Sequence, residues 1–145
     1  MVLALVSACS SSAPSAGARY EQIVMPANAA WATFVTQART WPGGEIPASG
    51  TALAQNVVRT WEKMNRQLLA HQWPGSDRHD IAALVSSDTK VYQKLEQLPA
   101  RDVVEAWWAN LIASSSAEQA AAGRVRIDLH LPTSPAPQGG EVPPS

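Results

Sequence analysis

Tryptophans, histidines, one cysteine and scattered carboxylates are the side chains of this 145-residue chain whose chemistry reaches beyond packing. The chain has 6 Trp against 2 Tyr and 1 Phe, so a single residue type supplies most of the aromatic volume. Tryptophan is enriched at binding hot spots, and its flat face stacks on sugars and peptides. Trp31 and Trp61 fall within apolar stripes, while Trp41 and Trp73 close their helices, so these four have core addresses. Trp107 and Trp108 are adjacent and point about 100° apart on a helix, which only a wide buried face can hide. Trp108 turns toward Ile112 and Ser115, the side that becomes polar sooner. It is therefore expected to be the more exposed of the pair, and Trp108 with Trp107 is the candidate partner contact. His71, Asp77, His79 and Asp80 flank one turn, but their spacing matches neither a helical His pair at i, i+4 nor a Glu-x-x-His motif. Capping and helix-end solvation account for them, so no metal and no cofactor is expected. Neither a Gly-x-Ser-x-Gly elbow nor a phosphate-binding glycine loop occurs. Glu62, Glu96 and Glu105 fall on faces that read as solvated, which gives no paired acid and base, no catalytic residue and no enzyme.

A single cysteine makes no intramolecular disulfide, and Cys9 stands directly after the apolar run Val2-Leu3-Ala4-Leu5-Val6 and the small residues Ser7 and Ala8. The segment Val6-Ser7-Ala8-Cys9 resembles the bacterial lipobox, in which an aliphatic residue and two small ones precede the cysteine that is acylated. The resemblance implies that Cys9 is the lipidation site and the first residue of the mature protein, with residues 1–8 a partial signal peptide. No basic residue precedes the apolar run, which implies a translation start further upstream. Ser10 to Gly17 is small and polar, so residues 9–19 read as a flexible tether.

Helical periodicity organises the rest. Trp31, Phe34, Val35, Ala38 and Trp41 share one face of a first helix over Ala27 to Trp41, with Pro26 in its first turn and Trp41-Pro42-Gly43-Gly44 as its stop. Tyr20, Ile23 and Val24 precede it as a helical turn or an extended segment. Leu53, Val57, Trp61, Met64 and Leu68, widened by Val58 and Leu69, mark a second helix from about Thr51 to Trp73. Ser76 or Asp77 caps a third, with Ile81, Leu84, Val85, Tyr92 and Leu95 inward and Pro99 at its end. A fourth begins near Pro99 with Val103, Val104, Trp107, Trp108, Leu111 and Ile112 on a broad face. Ser114-Ser115-Ser116 either continues it or caps a short separate helix. Short Pro and Gly connections force neighbours antiparallel. The fold class is all-α: an antiparallel bundle of about four helices over residues 20–131, with residues 132–145 a disordered proline-rich tail.

A net charge of −1 without a basic run argues against nucleic acid as a partner. No stretch after Cys9 nears the roughly 18 apolar residues of a spanning helix, so the mature protein is expected to be anchored rather than spanning. The layout of Tyr20, Pro26 and Asn28, the tryptophan-led helices and the closing Val125-Arg126-Ile127-Asp128-Leu129-His130-Leu131-Pro132 is similar to that of small secreted or lipid-anchored helical proteins of actinobacterial envelopes. That resemblance implies attachment at the outer face of the cytoplasmic membrane. The resulting expectation is a non-catalytic module that binds or occludes an envelope protein or a cell-wall glycan. A phage-encoded superinfection-exclusion lipoprotein, an enzyme accessory subunit and a structural spacer are the alternatives.

Overall fold

Buried residues recur at alternating steps of three and four, which winds a helix against partners along one seam. In the third helix Ile81, Leu84, Asp88, Val91 and Leu95 hold that register, and in the last one Trp108, Leu111, Ser115 and Val125 fall on it. The structure, a computed structural model, describes residues 14–41, 46–98 and 104–133. Among these it places α1 (Ala16–Ala38), α2 (Ala48–Ala70), α3 (Asp77–Glu96) and α4 (Val104–Asp128), and no strand. The helices form the expected all-α bundle. Backbones approach closely between α1 and α2, α2 and α3, and α3 and α4. Tyr20, Trp31, Phe34, Trp61, Leu68, Leu84 and Leu111 fill the centre.

Several boundaries differ from expectation. α1 begins at Ala16, where the Ser15 hydroxyl accepts the Ala18 N–H at 3.2 Å, so residues 16–19 are helix rather than tether. Pro26 lies inside α1, not in its first turn, and leaves the Gln22 carbonyl without its usual helical donor. Burial of Tyr20, Ile23 and Val24 on the core side outweighs the proline cost of about 3 kcal/mol. α2 starts and ends three residues early, because His71 turns extended and Trp73 folds back to donate to the Leu68 carbonyl at 2.6 Å. Leu69, expected on the inner face, is 61% exposed. At the α3 start neither Ser76 nor Asp77 caps through its side chain, and the Ser76 hydroxyl donates to Asp77 instead. α4 is unbroken across the serines, whose hydroxyls donate to the Asn110 and Ile112 carbonyls a turn earlier. Residues 1–13 (with Cys9), Pro42–Glu45, Pro99–Val103 and the tail from Ser134 lie outside the described residues.

α4 closes with the Leu131 N–H on the Arg126 carbonyl at 2.8 Å and the His130 N–H on that of Ile127 at 3.0 Å. This is a Schellman stop with His130 at φ 55° in the left-handed position. Leu131 then lies so close to α1 that a Cβ at Gly17 would be 2.8 Å from its side chain.

Candidate functional site

A cleft of about 350 Å³ opens along the line where α1 faces α4. Among neighbouring helices this is the pair whose backbones do not pack closely, and the side chains explain why. At one end the large rings of Phe34 and Trp108 meet at 6.1 Å and hold the helices apart. At the other, Arg126 pairs with Glu21 at 2.9 Å and donates through Nε to the Pro132 carbonyl at 2.8 Å. Between these closures α4 presents only Ala122 and Gly123 beside Glu118 and Gln119. α1 supplies Tyr20, Val24 and Trp31 inside and Asn28 and Ala32 at the rim, while Trp61, Met64 and Leu84 form the floor. The Trp61 ring lies 5.5 Å from that of Trp31, and its indole N–H donates to the Ala27 carbonyl at 3.1 Å. Gly123 adds to the opening: a Cβ there would meet nothing within 4 Å.

The charges are unusual for a bundle interior. Asp88 is 0% exposed, and both carboxyl oxygens lack a hydrogen-bond partner. Desolvation, reinforced by the negative charge of Glu118, pushes Asp88 up to about 8. Desolvation alone pushes Glu118, half-buried in the cleft wall, up to about 7. The same environment raises the Tyr20 hydroxyl, by burial first and then by Glu118 and Asp88. Asn65 is a further buried polar group whose amide oxygen and nitrogen both lack partners. The arrangement is an apolar, aromatic-floored slot with one carboxyl on its wall and a second within electrostatic reach, both titrating near neutrality.

Compared with protein-family models, curated proteins and solved structures, the chain matches none.

The expected site residues are placed differently. Trp108 is 4% exposed and Trp107 is the partly exposed one, the reverse of expectation. The face toward Ser115 is not the polar side: Ser115 is itself buried, its hydroxyl satisfied by the Ile112 carbonyl at 2.9 Å. Trp107 instead lies over the end of α3 and donates to the Lys94 carbonyl at 2.9 Å, and neither indole reaches the cleft. The His71 and Trp73 rings meet in a T with centroids 4.4 Å apart, and Asp80 pairs with Arg124 at 4.0 Å. A proton shared with Asp80 raises Asp128 nearby. Among the described residues no three His, Cys, Asp or Glu side chains gather as a metal site requires, and no helix is long and apolar enough to cross a membrane. Glu62 and Glu96 do not line the cleft, and the Glu105 side chain lies outside the described residues. Sequence reasoning missed Asp88 and Glu118. The readable signal was register, since Asp88 occupies the central position of the inward stripe of α3.

Proposed function

We infer that the protein is a lipid-anchored module of a bacterial cell envelope, attached through Cys9, that binds rather than transforms its partner. The anchor rests on the lipobox-like Val6-Ser7-Ala8-Cys9. The observation that carries the binding role is the α1/α4 cleft, whose size and apolar lining with a few polar groups are those of a ligand pocket. An envelope protein segment or a glycan fragment that inserts an apolar group there is the partner class. The test has two parts. Expressed in a bacterium that lipidates exported proteins, the protein should yield an N-terminal peptide with the mass of diacylglyceryl-Cys9; unmodified Cys9 within an uncleaved chain refutes the anchor. A photo-cross-linker at Ala32 on the cleft rim should capture one repeatable envelope component, and a cross-linker at exposed Leu69 should not. Equal capture from both positions refutes the cleft as the binding surface.

A second reading is favoured by one observation, the pair of carboxyls that titrate near neutrality. General acid–base catalysis uses such groups. Only Glu118 lines the cleft, however, and Asp88 is sealed behind it. A substrate in the slot touches a single carboxyl, which suits recognition better than a two-carboxylate mechanism.

A further inference from the structure

The polar groups of the cleft do not balance. Arg126 is the cation on its lining, and its guanidinium is committed to Glu21 and to the Pro132 carbonyl. Glu118 takes no hydrogen bond or ion pair among the described residues. Behind it Asp88 is fully buried with both oxygens unpartnered. A buried carboxyl without a donor is costly, and a cation or strong donor brought alongside removes that cost. The rest of the lining is mostly apolar, with uncharged Asn28, Gln119 and Thr133 beside it, and Trp31, Trp61 and Tyr20 offer aromatic surface, which attracts cations through the ring quadrupole. Gly123 within α4 costs helix stability relative to alanine and meets no neighbour that would demand a glycine, yet its missing side chain leaves the slot open.

We propose that the α1/α4 cleft is a binding site for a small amphiphile carrying one ammonium group, with its apolar body against Trp31, Trp61, Met64 and Leu84 and its cation against Glu118. The proposal rests on the reading of the cleft as the binding surface and adds the ligand's chemistry. Anionic amphiphiles are repelled by Glu118, and neutral ones gain only the apolar contact. The pH dependence follows from the groups that face the site. On the lining α1 contributes Tyr20 and α4 Glu118 and Arg126, with Glu21 paired to Arg126 and Asp88 of α3 buried behind Glu118, whereas α2 places no ionisable side chain there. Of these, Glu118 and Asp88 lose protons near about 7 and about 8, while an alkylammonium stays charged to about pH 9.5. Affinity for the amine rises across that window.

The experiment is calorimetric titration of the full chain with octylamine, 1-octanol and octanoate at pH 6 and pH 8.5, all below their micelle thresholds. At pH 8.5 octylamine should bind saturably, one per chain, about tenfold or more tighter than the other two, as a desolvated charge pair allows. Glu118→Gln should bring the amine and the alcohol to within about threefold of each other. Gly123→Leu should abolish binding by filling the slot, and Ala32→Leu should narrow it from the opposite wall if the first variant does not fold. Equal affinity for the three probes, or an amine affinity that does not rise with pH, overturns the ammonium specificity and leaves the cleft as a binding surface. Failure of all three to bind overturns both readings. Dimerisation of the ligand-free chain that Gly123→Leu abolishes assigns the groove to a second copy and overturns the proposal.

Discussion

α1 borders α2 and α4 along seams of similar length but opposite character. Against α2, Trp31 and Trp61 meet at a tilt of 47°, the Trp61 indole ties itself to the Ala27 carbonyl, and Gly50 lets Trp41 pack against the first turn of α2. Rings meet one another and small residues there, and the seam is closed. Against α4, bulk is confined to the two ends, and the stretch between offers Glu118, Ala122 and Gly123. Close packing needs volume complementarity at every level of the bundle. Where α4 offers only small residues beside a charge, contact gives way to an opening.

The largest effect should come from breaking the closed seam. Trp61→Ala removes a buried ring and its cross-helix hydrogen bond, and should cost about 3 to 5 kcal/mol in chemical denaturation. An unchanged denaturation midpoint contradicts the packing described.

The charges of the open seam should appear in the pH dependence of stability. Asp88 and Glu118 both titrate higher in the folded chain than in the unfolded one, so between the ordinary carboxyl range and about 8 the folded state holds the extra protons. Stability is therefore greatest at the acid side of that window and falls as pH rises through it. Discounted by half for relaxation, the shift of Asp88 still corresponds to roughly 3 kcal/mol. Melting temperature should drop between about pH 4 and pH 8 and level off above, and Asp88→Asn should remove most of the slope. A flat profile shows that Asp88 is solvated.

Smaller effects separate the glycines of the two seams. At Gly50 a Cβ would lie 2.6 Å from the Trp41 ring, so Gly50→Ala should destabilise by about 1 to 3 kcal/mol. At Gly123 the same substitution meets open space and should stabilise by about 0.5 to 1 kcal/mol through helix propensity. Thermal melts of the two variants should move in opposite directions; a shared sign erases the distinction between the seams.

The bundle itself was legible because Val57, Trp61, Met64 and Leu68 in α2, and Ile81, Leu84 and Leu95 in α3, repeat at helical spacing strongly enough to override local detail. Helix ends were less legible. Pro26 reads as a start because its local cost is visible in sequence and the burial of Tyr20 that outweighs it is not. The cleft was illegible for a related reason: a periodic pattern marks which residues face inward, not how far apart two facing helices stand. Nothing in the periodicity therefore singles out Glu118, and Asp88 is a carboxylate set in an otherwise apolar register. The burial of Trp108 is hidden because a serine reads as a solvent marker, whereas a hydroxyl bonded to its own helix is at home in a core.

The Schellman stop at His130 has a mechanical consequence. By seating Leu131 on Gly17, it brings the first turn of α1 and the end of α4 together at one end of the bundle, beside the Glu21–Arg126 pair. A pull exerted between the chain's two ends loads these contacts one after another, as in unzipping, and does not shear the long seams all at once. Tension would thus peel α1 from α4 starting at the Leu131 clasp and widen the slot between them while the α1/α2 and α2/α3 seams still hold.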